Sequence, residues 1–322
     1  MIYIVLFFIS FVLTYFIKEY AIKKSLVATV NERSSHTVPT PHGGGIAVAI
    51  TWFAGLFYLY FTGEVESNLF YALLLGTVIS VVSFFDDLYE LSAKMRLMVQ
   101  ALVSIGGLYF LGGLDGLSVW IFDITNPILT NIFAFFMIVW FINLYNFLDG
   151  INGYAGSEAI FLALAGFVLF GGSHFLVLAV AVLGFLYWNW NKARIFMGDV
   201  GSTLLGYNIA VLTIYYANQE TNNFWIWIIL FGVFLFDATF TLIRRKLGGE
   251  KLSQAHRQHA YQRLTQVGWS HSKVTLCALG LNGVIFVLVY FIPNIAVSFA
   301  LSLALLYGAM RFVDSKKKFT RF

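Results

Sequence analysis

Eleven apolar runs divide this chain, and each of its 20 lysines and arginines falls in, or at the edge of, a gap that follows an odd-numbered run. The runs lie near residues 1–17, 43–62, 68–85, 96–112, 128–147, 155–171, 174–190, 201–217, 223–243, 273–292 and 294–312. Each is long enough, with some tilt, to cross about 30 Å of bilayer hydrocarbon. The basic residues sit after the first, third, seventh and ninth runs and in the tail. The opposite gaps carry only Glu64, Glu66, Asp115, Asp123 and Glu220 as charges. By the positive-inside rule the basic side is cytoplasmic, which puts the N-terminus outside and the C-terminus inside. One missed or extra span would scramble this partition.

Only 11% of residues are charged and 59% are hydrophobic, against roughly 25% charged in soluble domains. A soluble fold is excluded. The sequence predicts an all-α integral membrane protein of eleven helices, or ten if the chain does not break at Pro293-Asn294, forming a single domain over 1–322. The longest polar segment, 245–272, is too short to bury its own core and is predicted to pack as a His/Arg loop on the bundle. Residues 1–17 lack a preceding basic region and a small-residue cleavage site, so they read as a retained span. The single cysteine, Cys277, excludes a disulfide within the chain and is expected to be a buried, inert thiol. The aromatic content belongs to lipid-facing surface and membrane belts and says nothing of function.

Five polar clusters fall on the basic side. Asn143-Leu-Tyr-Asn-Phe-Leu-Asp-Gly-Ile-Asn-Gly-Tyr-Ala-Gly156 places amides, a carboxylate and glycines between two apolar runs. A bare turn needs far less; this stretch offers donors, an acidic ligand and backbone open to close approach. Asp86-Asp87, with Arg96 and Gln100 downstream, puts two carboxylates at a helix C-terminus, where they repel each other and oppose the helix dipole. A cation would relieve both penalties. Asn189 to Ser202 runs into the eighth span with Asp199 between two glycines. Asp199 reads either as an N-cap or as part of a phosphate-binding helix start. Arg33-Ser-Ser-His-Thr-Val-Pro-Thr-Pro-His-Gly-Gly-Gly45 reads equally as a turn into the second span. His256-Arg-Gln-His-Ala-Tyr-Gln-Arg-Leu264, after Arg244-Arg245-Lys246, suits anionic groups better than structural zinc, since no third nitrogen or sulfur ligand is near. Asp237 stands two turns before Arg244, roughly 10 Å inside its span, a depth at which ionisable groups are functional by default.

Four carboxylates (Asp86, Asp87, Asp149, Asp199) beside a basic loop point to a hard cation such as Mg²⁺ and a phosphorylated substrate handled at the membrane surface.

The Gly43-Gly-Gly45 approach, Asp86-Asp87 with Leu91-Ser92 and Gln100, Asn143…Asn146…Asp149-Gly150…Gly153, Phe196-Met-Gly-Asp-Val-Gly-Ser202 and the histidine loop occur in one order. Together they resemble the polyprenyl-phosphate N-acetylhexosamine-1-phosphate transferases (glycosyltransferase family 4), over residues 33 to 264. The His256-Arg-Gln-His-Ala-Tyr-Gln form most resembles the branch that initiates O-antigen and related surface glycans. The resemblance implies transfer of N-acetylhexosamine-1-phosphate from a UDP-sugar to undecaprenyl phosphate in a bacterial inner membrane, with UMP released and Mg²⁺ (or Mn²⁺ in its place) required. The product would start an O-antigen, enterobacterial-type antigen, capsule or teichoic acid. It makes Asp86, Asp87, Asp149, Asp199, His256 and His259 the catalytic set, with Asp199 and Asp87 on the metal and Asp86 as the proposed base. Asn143, Asn146, Gly150, Asn152, Asn189, Phe196, Arg96, Asp237 and Arg257 become the substrate-binding set, Phe196 stacking on uracil. A homodimer is compatible with the resemblance, and no nucleic acid partner is expected. Two departures stand out: Asn152 replaces a second Asp common in the nucleotide loop, and Glu90 occupies a position that is often Lys in the peptidoglycan branch.

Two readings from other classes compete. A transporter would place its charged groups near the midplane in broken helices, whereas here the carboxylates crowd one surface. A non-catalytic lipid-phosphate binder would have no need to keep all four carboxylates.

Overall fold

The computed structural model describes residues 1–24, 27, 28, 40–89, 91–252, 254 and 256–319. The Arg33–Pro39 part of the glycine-rich approach and Glu90 lie outside the described residues. The described residues form fourteen helices: α1 (Ile2–Lys23), α2 (Gly45–Phe61), α3 (Ser67–Leu74), α4 (Gly76–Tyr89), α5 (Ala93–Leu111), α6 (Pro127–Phe147), α7 (Tyr154–Phe170), α8 (Ser173–Asn189), α9 (Asp199–Gln219), α10 (Asn222–Leu230), α11 (Gly232–Leu247), α12 (Ala260–Gln266), α13 (His271–Phe291) and α14 (Ile295–Lys316). Two short antiparallel ladders, Val27–Ala28 with Thr40–Pro41 and Leu117–Ser118 with Asp123–Ile124, complete the described elements.

The protein is an all-helical membrane protein, as its sequence predicts. Among the described residues, seven helices are long and apolar enough to cross a membrane, counting α3 and α4 together, or eight if α10 and α11 form one bent span. The expected count of eleven exceeds this because α2, α7 and α8 are 17 residues long, the lower limit for a span. The break at Pro293-Asn294 is real: the Asn294 side chain accepts from the N–H groups of Ala296 and Val297 and starts α14. Two features were not expected. α10 and α11 meet at Phe231 with a 76° bend, and α12 stands inside the segment read as loop. Cys277 is exposed on the outer face of α13, not buried.

α9 forms the axis of the bundle, packed on α6, α4, α10 and α2, with 94% of its apolar window buried. Small residues let its neighbours approach. Gly206 faces the backbone of Phe141 and Ile142, and Gly201 faces Gly45. Its threonine hydroxyls bond back to the helix, Thr203 donating to the Asp199 carbonyl at 2.6 Å and Thr213 to that of Ile209 at 2.7 Å, while the Tyr207 hydroxyl donates to the Ala72 carbonyl of α3 at 2.8 Å. A helix of mixed polarity therefore sits at the centre without leaving those groups unpaired, and its first residue, Asp199, is fixed at one end of the bundle.

Candidate active site

The polar clusters meet at that end. The C-termini of α4, α6 and α8 and the N-termini of α2, α5 and α9 converge there, tied by hydrogen bonds. The N–H groups of Gly44 and Gly45 donate to the carbonyls of Phe196 and Met197 at 2.9 and 2.8 Å, and Phe196 N–H donates to the Pro41 carbonyl at 2.8 Å. The glycine-rich approach is thus a packing device that brings backbone against backbone. A Cβ on Gly44 would strike the Phe185 ring.

Asp86 and Asp87 end α4 but serve differently. Asp86 is buried; one oxygen accepts from Leu91 N–H at 2.7 Å and the other from the Arg96 guanidinium at 2.9 Å. Asp87 accepts from the Asp199 backbone N–H, while its Oδ2 is buried without a hydrogen-bond partner. Asp199 in turn accepts from the Asn146 side chain. Asn143 donates to Gln100 Oε1 at 2.7 Å, which links α6 to α5. Asp149, in the turn after α6, is pushed well above the usual carboxylate range by burial and by the facing Asp199 and Asp87 carboxylates. Burial lowers the His42 imidazole, and the nearby Asp199 carboxylate opposes this. Among the described residues, no group of three or more His, Cys, Asp or Glu side chains is arranged to hold a metal unaided. What the site offers a cation is the Asp87–Asp199 pair with its orphaned oxygen.

Asn189 is buried beneath this surface. Its oxygen accepts from Gly153 N–H at 2.8 Å and its nitrogen donates to the Ile195 carbonyl at 2.9 Å. The structure makes it a clamp between the 149–153 turn and the stretch before α9, not a group reaching toward ligand. Gly153, at φ +74°, would place a Cβ against the Trp190 ring. Gly150 lies under the Tyr261 hydroxyl, which donates to the Phe147 carbonyl at 3.0 Å. Asn152 is held through its backbone by α13: its N–H faces His271 Nδ1 at 3.4 Å and its carbonyl accepts from Thr275 at 3.3 Å.

A cavity of about 540 Å³ opens among these groups, lined by Asp86, Arg96, Asn143, Asn146, Asp199 and, from the histidine loop, His256 and His259. Phe196 and Arg257 are half-buried and line no wall of it. Asp237 does not reach it either. The carboxylate accepts from Ala260 N–H at 2.8 Å and Thr241 Oγ1 at 3.1 Å, and lies 3.4 Å from His259 Nδ1. It caps α12 from below and orients His259, a role matching its depth but not direct substrate contact.

The basic residues of this region are largely consumed. Arg245, 1% exposed, donates to Glu250 at 2.7 Å and to the Lys251 and Gln254 carbonyls at 3.0 Å each. Arg244 and Arg263 both bond to Asp314 on α14. Gln262, overlooked in sequence, lines the cavity and accepts from the His259 N–H at 3.3 Å; its place three residues after His259 is the capping-box spacing. Burial, with His259 and Arg245 nearby, pushes the His256 imidazole down to about 4.

Beside the polar cavity runs an apolar groove of about 490 Å³ between α6, α11 and α14. Trp140 and Thr239 on its wall are joined by a 3.1 Å hydrogen bond. One turn further along α6 and α11, Asn143 and Leu242 line the cavity.

Residues 69–217 match the profile of glycosyl transferase family 4. The chain is 32% identical to the probable undecaprenyl-phosphate N-acetylglucosaminyl 1-phosphate transferase of Bacillus subtilis, over 85% of this chain and 79% of that protein. It is 29% identical to the decaprenyl-phosphate N-acetylglucosaminephosphotransferase of Mycobacterium leprae, covering 78% of this chain and 72% of the other. It is 31% identical to a phospho-N-acetylmuramoyl-pentapeptide-transferase of Streptococcus pneumoniae, covering 73% and 78%.

Proposed function

The chain belongs to glycosyl transferase family 4, and we propose from that premise that it transfers N-acetylhexosamine-1-phosphate from a UDP-sugar to undecaprenyl phosphate, releasing UMP. In general type it is a membrane-embedded polyprenyl-phosphate sugar-1-phosphate transferase. The observation that carries the reading is the juxtaposition of Asp199, on the wall of the polar cavity, with Asp87 behind it, and an apolar groove in line with that cavity. A lipid phosphate needs both: hydrocarbon wall for the chain and polar floor for the head. The break at Phe231 opens onto the apolar groove, whose described lining holds no ionisable residue and offers as polar groups Thr239, Ser302 and the Trp140 N–H, so it gives no support to a transporter site.

Asp87 and Asp199 would hold Mg²⁺, which keeps few protein ligands and fills its shell with water and substrate oxygens, and which when bound neutralises diphosphate charge. The acceptor phosphate, with a second pKa near 6 as in a phosphomonoester, is mostly dianionic at pH 7. One of its oxygens forms a bond to the sugar-bearing phosphorus as the bond from that phosphorus to the UMP oxygen breaks, and UMP leaves with the electron pair. No proton need be removed. Both Asp86 oxygens are already engaged, so in this reading Asp86 fixes Arg96 at the cavity wall instead of acting as a base. Asn146 steadies Asp199, and the 149–153 turn offers backbone to the nucleotide. His259, held by Asp237, and neutral His256 face the transferred group. By the positive-inside rule this end faces the cytoplasm of a bacterial inner membrane, and the lipid-linked product would start a surface glycan.

The test is UMP release by purified protein given undecaprenyl phosphate, Mg²⁺ and a panel of UDP-N-acetylhexosamines. Release that requires lipid, metal and an intact Asp199 supports the reading and names the sugar. Folded protein that binds lipid phosphate but releases no UMP with any of the donors overturns it.

A further inference from the structure

We propose that Asp314, near the end of α14, is a positioning residue that holds the histidine loop over the cavity; this rests on the transferase reading above. The Asp314 carboxylate receives two guanidinium groups from different helices. Arg263 Nη1 on α12 donates to it at 2.6 Å, and Arg244 Nη1 on α11 donates at 3.0 and 3.2 Å. Arg263, 2% exposed, also donates to the Lys317 carbonyl at 2.9 Å and lies 3.1 Å from the Met310 sulfur. The Phe319 ring covers Arg244 at 4.0 Å. The last turn of α14 and the residues after it therefore close around α12 from the side away from the cavity.

What Arg263 anchors is one helical turn from His259, and the Arg263 N–H donates directly to the His259 carbonyl at 2.9 Å. α12 is a helix of only 7 residues, too short to hold itself. Its described hydrogen bonds to other elements run to Asp237 at the N-terminus, from Tyr261 to the Phe147 carbonyl, and from Arg263 to Asp314, the Met310 sulfur and the Lys317 carbonyl at the end of α14. The first two belong to the cavity side. Asp314 is the charged partner in the third group, and its described partners, Arg244 and Arg263, are not among the residues that line the cavity. Its removal leaves a buried guanidinium without its carboxylate, a state far less favourable than the pair, and α12 relaxes by moving Arg263 toward water. His259 and His256 move with it.

Two readouts on the full-length protein in detergent test this: hydrogen–deuterium exchange across residues 256–266, and UMP release as a function of donor concentration. Asp314→Ala is expected to raise exchange in this segment and lower kcat/KM by about tenfold, with melting temperature close to wild type. Asp314→Glu is expected to recover both readouts, and Asp314→Asn to lie between. Unchanged exchange in Asp314→Ala overturns the proposal, as does an activity loss that merely follows the melting temperature across the variants. If wild-type protein releases no UMP, the transferase reading fails by itself, and exchange in the segment still decides whether Asp314 holds the loop.

Discussion

Gly45 and Gly201 lie back to back, so close that a Cβ on Gly201 would sit 2.8 Å from the Cα of Gly45, while a Cβ on Gly45 would fall on the backbone of Gly201. This contact sets the entry of α2 against the start of α9 and so fixes Asp199. Gly45→Ala should cost about 1–3 kcal/mol, as other overpacked sites do, lowering the melting temperature and, by displacing Asp199, activity. Gly280, in α13 with open space around it, supplies the control: Gly280→Ala should be neutral or stabilise by up to about 1 kcal/mol. Equal effects from both variants would show that the contact does not matter.

Mg²⁺ should raise the melting temperature, adding stability that grows with the logarithm of its concentration and reaches about 2.7 kcal/mol at a hundredfold excess over Kd. The shift should vanish in Asp199→Asn. Asp87→Asn should also abolish it, while the metal-free protein gains stability because a buried, repelled carboxylate is gone. An undiminished Mg²⁺ shift in Asp199→Asn would place the cation elsewhere.

His256 titrates near 4 in the fold against 6.5 for a free imidazole. Between those values the unfolded chain takes up a proton that the folded one refuses, so stability falls as pH drops through this window and is unaffected above it. Melting curves from pH 7.5 to 4.5 should show this loss, and His256→Gln should flatten it. A midpoint near 6.5 with no loss below it would mean that the imidazole is solvated.

Asp86→Asn separates a base from a positioning group. With both oxygens committed to Leu91 and Arg96, the variant should show a deficit of roughly tenfold or more that is flat with pH, and Arg96→Met should match it. Full recovery at high pH would restore Asp86 as the base.

The all-helical membrane class was readable from the continuous apolar runs, but their number was not, because three of the eleven expected spans are helices of 17 residues. Nor were the breaks. Gly76 and Gly232 follow them directly, but with 28 glycines in the chain a glycine in an apolar run carries little signal. Asp87 was legible because it is an acid at a helix C-terminus, which the dipole disfavours, and Asp149 and Asp199 because each stands among glycines at the edge of an apolar run. Roles were harder to read. Arg244, Arg245 and Arg263 looked free to meet anions, since their partners Asp314 and Glu250 carry no sequence mark that says they face inward. Asn189 and Asp237 were recognised as unusual, yet their bonds to backbone N–H groups depend on turns that only the folded chain brings beneath them.

The alignment of groove and cavity along α6 and α11 bears on direction. An exchange that breaks one diphosphate and makes another has little intrinsic drive. In the proposed transfer the apolar groove would keep the lipid product in the bilayer plane while the nucleotide dissolves in water, so the two would part into different phases as they form. Net flow is then governed by how quickly each phase is cleared, and the protein itself needs no energy source to run forward.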